Sequence, residues 1–392
     1  VRRRGVAAGR AGPRAAAAVA LAALALDGGG CAPREGATSG GAGAAPPLPS
    51  DTAVRVPADG GAVLAGTLLR PAGDAGRRGA VLLLSGSGAQ DRDGTRPDLP
   101  GYRPLGELAE ALARAGLVTL RLDDRGTGAS TGRFAGRTTD DAARDAAAAV
   151  RWLRAHPAVD GARVALAGHS EGALVALLVA RADPRVCALA LLGAASRSGR
   201  EVARWQRAAV VARSGWPAAR RAEVLVAAER AAEDAAARDR WLGRWFALAP
   251  RAVAAGVRQP VLLVHGARDG QVPAWHAPEL AAALRAAPGR PPAHPVTVAA
   301  LPGVNHLLLA DPDGDPSGYP RLAARTLAPS VPAAMAPWLA AAVGRCAPAH
   351  ASEGASEGAS EGRASGVSPG RPAGQRPARP SARPCCASVT RW

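Results

Sequence analysis

Residues 165–178 read ALAGHSEGALVALL, which sets Ser170 between Gly168 and Gly172 with apolar runs on both sides. A chain carries such a serine by turning a strand sharply into a helix. That turn forces neighbouring backbones together, so the positions two before and two after the serine must be small. Ser170 would then stand exposed above a sheet edge. The pattern G-x-S-x-G is weak by itself in a chain with 47 glycines, and it recurs around Ser130, Ser356, Ser360 and Ser368. Context separates them. Ser130 lies in a Gly/Thr/Ser-rich turn and the other three in a repetitive tail. Only Ser170 has a β-like run before it (Arg163–Ala167, RVALA) and a helix-forming run after it (Ala173–Arg181, ALVALLVAR).

Between residues 51 and 345 short apolar runs alternate with helical patterns, which predicts an α/β domain with a mostly parallel sheet flanked by helices. Strands are expected at Val54–Val56 and Ala62–Leu69 around an Asp59-Gly60-Gly61 turn, then at Ala80–Leu84, Val118–Leu122, Val186–Leu192, Val261–Val264 and Val296–Ala300. Helices are expected at Leu105–Ala115, Asp140–His156, Pro278–Ala286 and Val331–Val343. The alternation breaks over 196–257, where an Ala/Arg/Glu-rich stretch of helical periodicity reads as a helical cap insertion. It holds Trp205, Trp216, Trp241 and Trp245, which either dock the insertion or line a pocket.

The net charge of +17 invites a nucleic-acid reading, but all 49 basic residues are arginine and there is no lysine. Isoleucine is absent as well, and Asn305 is the one asparagine. Such usage points to a GC-rich gene, and the arginines are scattered without aromatic interleaving, so no specific nucleic-acid partner is expected. The N-terminal segment carries Arg2, Arg3, Arg4, Arg10 and Arg14, then the apolar stretch Ala15–Leu26, then glycines and Cys31. This predicts an export signal over 1–31, with Cys31 as a lipid acceptor or, alternatively, an ordinary secretory signal, and an extracytoplasmic location either way. The apolar stretch falls short of the roughly 20 residues a spanning helix needs. A flexible linker is expected over 32–50 and a disordered, low-complexity tail over 346–392. Cys187 reads as simply buried; no disulfide framework and no metal site are expected.

A serine hydroxyl needs a base within reach and a carboxylate to orient that base. In this architecture both follow the serine, each in a loop after a later strand. Asp269, in HGARDGQVP, is the only carboxylate between the strand Val261–Val264 and the next helix. His306, in LPGVNHLLL, follows the last strand. His265, His276 and His294 remain alternatives, whereas His169 is expected to face away within the turn. Backbone donors for an oxyanion are expected at Glu171, first in the helix after Ser170, and at Ser87 in the loop SGSGAQDRDG.

At these residues the chain resembles the bacterial α/β-hydrolases of the esterase and serine-peptidase type. The resemblance rests on a GSGPQDRDG-like loop, a DDRGxGxS turn, the GHSEG segment and an LPGxNH loop, over about residues 52–343. It implies an α/β-hydrolase fold and a Ser170–Asp269–His306 triad with no cofactor. Two departures, Ala89 for the usual proline and Gly270 for a larger residue, are expected to loosen their loops. The expected activity is cleavage of a small carboxylic ester through an acyl-enzyme. The rivals are an aminopeptidase, with Glu223, Glu229, Glu233 or Asp234 receiving a substrate amine, and a catalytically inactive lipid-anchored binding protein.

Overall fold

The computed structural model describes residues 50–73 and 76–346. The expected export signal, Cys31, nearly all of the linker and the tail beyond Cys346 lie outside these residues.

Eight strands form one sheet. They are β1 (Ser50–Pro57), β2 (Val63–Arg70), β3 (Arg78–Leu84), β4 (Val118–Leu122), β5 (Val159–His169), β6 (Leu189–Leu192), β7 (Val261–Gly266) and β8 (Val296–Leu301). Their order across the sheet is β1-β2-β4-β3-β5-β6-β7-β8. β1 pairs antiparallel with β2 and β2 with β4, whereas every pairing from β4 through β8 is parallel. This is the α/β-hydrolase fold. The parallel strands are covered on both faces and therefore read as continuous apolar runs: Val164, Ala165, Leu166 and Ala167 in β5 are all essentially inaccessible to solvent.

One face of the sheet carries α2 (Thr139–Ala155), α3 (Glu171–Ala182) and α8 (His276–Arg285), and the other carries α1 (Pro104–Arg114) and α9 (Ser330–Gly344). In α1 the residues Leu105, Leu108 and Leu112 repeat at helical spacing and are buried, while Arg114 and Glu110 face outward. α2 opens with a capping box in which the Thr138 hydroxyl and the Asp141 carboxylate satisfy each other's backbone amides. Four helices fill the interval between β6 and β7: α4 (Gly199–Ala212), α5 (Ala218–Arg238), α6 (Arg240–Ala247) and α7 (Pro250–Ala254). Ala203, Ala232, Leu242 and Phe246 give the first three a small core of their own.

Two expectations need correction. Regular strand structure in β6 begins at Leu189 and not at Val186, because the chain is still turning: the Asp183 carbonyl and carboxylate accept from the amides of Val186 and Arg185. Cys187 is buried but not free. It forms a disulfide with Cys346, Cα–Cα 6.1 Å, which ties the approach to β6 to the end of α9 across a sequence separation of 159. Spacing alone could not reveal it, since the two cysteines meet only once α9 folds back across the sheet.

Candidate active site

Ser170 sits at the join of β5 and α3 with φ 56° and ψ −117°. An L-residue there is strained, and it is held only because the surroundings over-determine it. A side chain at Gly168 would overlap the Gly172 carbonyl, and one at Gly172 would overlap the carbonyls of Leu84 and Ser85. The expected steric reason for both glycines is thus visible in the packing.

The structure brings Ser170, Asp269 and His306 together in one hydrogen-bonded chain. Ser170 Oγ lies 3.1 Å from His306 Nε2, and His306 Nδ1 lies 2.7 Å from Asp269 Oδ2. The other Asp269 oxygen accepts from the amides of Gln271 and Val272 at 2.9 and 2.7 Å. Burial disfavours the charge on Asp269. The facing His306 and its hydrogen bond, with His265 Nε2 3.4 Å away, outweigh that penalty and hold its carboxyl well below the usual range. Gly193, just after β6, has φ +58°, and a Cβ there would lie 3.2 Å from His306 Cε1, so glycine leaves room for the imidazole. The loop carrying His306 is braced by Asn305, which donates to Asp311 at 3.0 Å and accepts from the Leu309 amide at 3.0 Å.

His169 does not face away, as expected from sequence. Strand alternation would turn it from Ser170, but β5 ends there and the backbone has already begun its turn. Its ring packs 5.0 Å from that of His306, and its Nε2 donates to the His306 carbonyl at 2.8 Å. Burial, reinforced by the facing His306, pushes its pKa down to about 3, so it is neutral. The alternative histidines are engaged elsewhere. His265 Nε2 donates to the Val272 carbonyl at 2.7 Å, His276 lies against Ser196, and His294 Nδ1 is 2.8 Å from the Arg258 carbonyl.

The loop after β3 approaches from the other side, where Gly86 packs against Ser170. Two carboxylates from the turn after β4 fasten this loop. Asp123 accepts from the Arg92 amide at 2.8 Å and from its guanidinium at 2.7 and 3.0 Å. Asp124 accepts from the Gln90 amide at 3.0 Å and from Arg137 at 3.1 Å. Burial pushes the Asp124 carboxyl up to about 6 against the pull of Arg137. The DDRG turn was visible in the sequence, but its anchoring role needed the fold. Among the described residues, the Ser87 amide donates to no protein acceptor. The Glu171 amide, at the first position of α3, has no acceptor within its helix.

Gly270 does not leave a loose loop. The Gly314 carbonyl occupies the space a Cβ would take, so the missing side chain permits a close backbone contact. A cavity of about 680 Å³ opens over Ser170 and His306, and Trp241 and Trp245 line it, whereas Trp205 and Trp216 do not. The charged side chains on its wall already have partners. Arg96 pairs with Asp98, Arg137 with Asp124, and Arg197 with Glu279. Glu171 accepts from Thr139 and Trp241, and Asp239 caps α6 at the Leu242 amide.

Comparison with solved structures gives matches of low identity. The Pyrococcus furiosus esterase Pf2001 is 18% identical with a TM-score of 0.48, covering 66% of this chain and 84% of that one. Est1E from Butyrivibrio proteoclasticus is 17% identical, TM-score 0.43, covering 65% and 90%. The α/β-hydrolase GrgF from Penicillium sp. sh18 is 21% identical, TM-score 0.45, covering 66% and 91%. Comparison with curated proteins gives no match. The profile of the Peptidase S15 family, described as X-Pro dipeptidyl-peptidase, matches residues 59–298, and the chain, a serine hydrolase of the α/β type, belongs to that family.

Proposed function

We propose that the protein hydrolyses carboxylic esters through an acyl-enzyme on Ser170. The observation that carries this reading is the continuous chain from Ser170 Oγ through His306 to Asp269. His306 Nε2 takes the serine proton as Oγ attacks the ester carbonyl and returns it to the departing alcohol; water then repeats the sequence on the acyl-enzyme. Asp269 holds the imidazole with its Nδ1 proton inward and stabilises the imidazolium. The amides of Glu171 and Ser87 stabilise the oxyanion, aided by the positive end of α3. No metal or cofactor takes part in these steps.

Family membership favours a peptidase as the second reading, since that is what the family's description names. A peptidase that grips a free N-terminus needs a carboxylate in the cavity to receive it; both oxygens of Glu171 are engaged by Thr139 and Trp241, and Asp239 spends one oxygen on the Leu242 amide. The four acidic residues of α5 do not line the cavity; Glu223, Glu229 and Glu233 pair with Arg220, Arg204 and Arg200. This favours a neutral ester. The disulfide fits an oxidising compartment and supports the extracytoplasmic, exported or lipid-anchored setting inferred from the N-terminal sequence.

The test is fluorophosphonate labelling with the modified peptide located by mass spectrometry, followed by turnover of acyl esters against X-Pro anilides. Labelling at Ser170 with ester turnover is expected. Labelling elsewhere would remove the serine assignment, and faster cleavage of the anilides would move the protein to the peptidase reading.

A further inference from the structure

The Glu171 side chain does something its backbone does not. The amide, first in α3, has no acceptor within its helix, whereas the carboxylate turns toward α2 and α6. It accepts from Thr139 Oγ1 at 2.6 Å and from Trp241 Nε1 at 2.9 and 3.1 Å. Thr139 is fully buried at the first position of α2. Trp241 lies in the first turn of α6, and its ring stacks on Trp245 at 5.6 Å with the planes 5° apart. Leu242 and Phe246 pack into the separate small core of the four-helix segment, so the aromatic wall is built on a unit distinct from the main core. α6 is also tied to α2 by an ion pair between the exposed Arg244 and the half-buried Asp140, whose attraction water weakens. The Trp241–Glu171 bond is charge-assisted, partly buried and made at the residue next to Ser170.

We propose that the Glu171 carboxylate is a positioning group that latches Trp241, and with it Trp245, over the nucleophile, and so sets the preference for bulky apolar acyl groups. The proposal rests on the reading of Ser170 as the nucleophile of an esterase. The latch lies on the binding wall and not among the reacting atoms. Its loss therefore falls on substrates long enough to touch the wall.

The experiment compares p-nitrophenyl acetate with p-nitrophenyl hexanoate in Glu171→Ala, Trp241→Phe, the double variant and Glu171→Gln. Glu171→Ala and Trp241→Phe are each expected to raise KM for the hexanoyl ester at least about fivefold relative to the acetyl ester. The double variant should be no worse than the worse single one, because both remove the same bond. Glu171→Gln keeps a carbonyl acceptor for the indole N–H and should recover most of the loss. Multiplying effects in the double variant, or a fall in kcat shared equally by the two esters, would overturn the latch. Persistent turnover by Ser170→Ala in the same assays would instead remove the esterase reading. Labelling rates with short and long alkyl fluorophosphonates give the same comparison of variants without an ester substrate.

Discussion

Two serine–histidine–carboxylate sets lie close to this sheet, and only one is wired for nucleophilic chemistry. In the first, Asp269 touches His306 and His306 touches Ser170, so a proton can leave the serine along the chain. In the second, Ser196 touches both partners. Its backbone amide donates to His276 Nδ1 at 3.0 Å, and its hydroxyl lies 2.8 Å from that nitrogen and 2.6 Å from Glu279 Oε2. The accepting nitrogen of His276 is thus already occupied, and Glu279 orients no imidazole and is balanced by Arg197. Ser196 is 1% exposed, and His276 Nε2 is buried without a partner among the described residues. Ser170 by contrast lines the large cavity on a strained turn. The same three residue types thus give a relay in one place and a brace in the other; the difference is the order of the hydrogen bonds and the access of a substrate.

The sharpest way to break this comparison is to remove each serine in turn. Ser170→Ala is expected to lower kcat by about 10⁴-fold or more, whereas Ser196→Ala should leave ester turnover within about threefold. Steady-state kinetics that rank the two variants the other way round would reverse the assignment. Gly193→Ala should be next, lowering kcat roughly 100-fold, because the added Cβ crowds the His306 ring and the positive φ disfavours any side chain. Unchanged kcat in a folded Gly193→Ala protein would show that His306 has room to adjust. His169→Ala should cost roughly tenfold in kcat/KM by releasing the His306 carbonyl, whereas His276→Gln should leave kcat/KM unaltered.

The smallest expected effect is on stability against pH, and here the two histidines should behave alike. Burial keeps His169 neutral in the folded state down to about pH 3 and His276 down to about pH 4, while an unfolded histidine takes up its proton near 6.5. The unfolded chain binds more protons between those values, so stability present above pH 6.5 is lost as the pH falls through the window. Melting temperatures of His169→Gln and His276→Gln between pH 7 and 4.5 should each fall less steeply than those of the parent. Parallel slopes would mean that these rings already carry charge when folded.

How far the site could be read in advance depended on the range of the interactions. The turn at Ser170 was legible because Gly168 and Gly172 answer a local steric demand. The order of Asp269 and His306 after Ser170 was legible because each follows an apolar run that could only be a strand. His169 was misread because period-two alternation stops at the strand end, and the disulfide was missed because Cys187 and Cys346 share no local pattern. Gly193 makes room for His306, and Asp123 and Asp124 hold Arg92 and Gln90, across more than thirty residues of chain, beside shorter-range contacts of Asp123 with Ala129 and of Asp124 with Arg137.

The sequence by itself determined the elements and the side chains that the chemistry needs, because apolar periodicity, capping and turn sterics are properties of neighbouring residues. Only the tertiary structure decided which histidine lies on which carboxylate, and that Glu171 reaches Trp241. Those hydrogen bonds join segments brought together by burial of the sheet, and their geometry exists only after the core has packed.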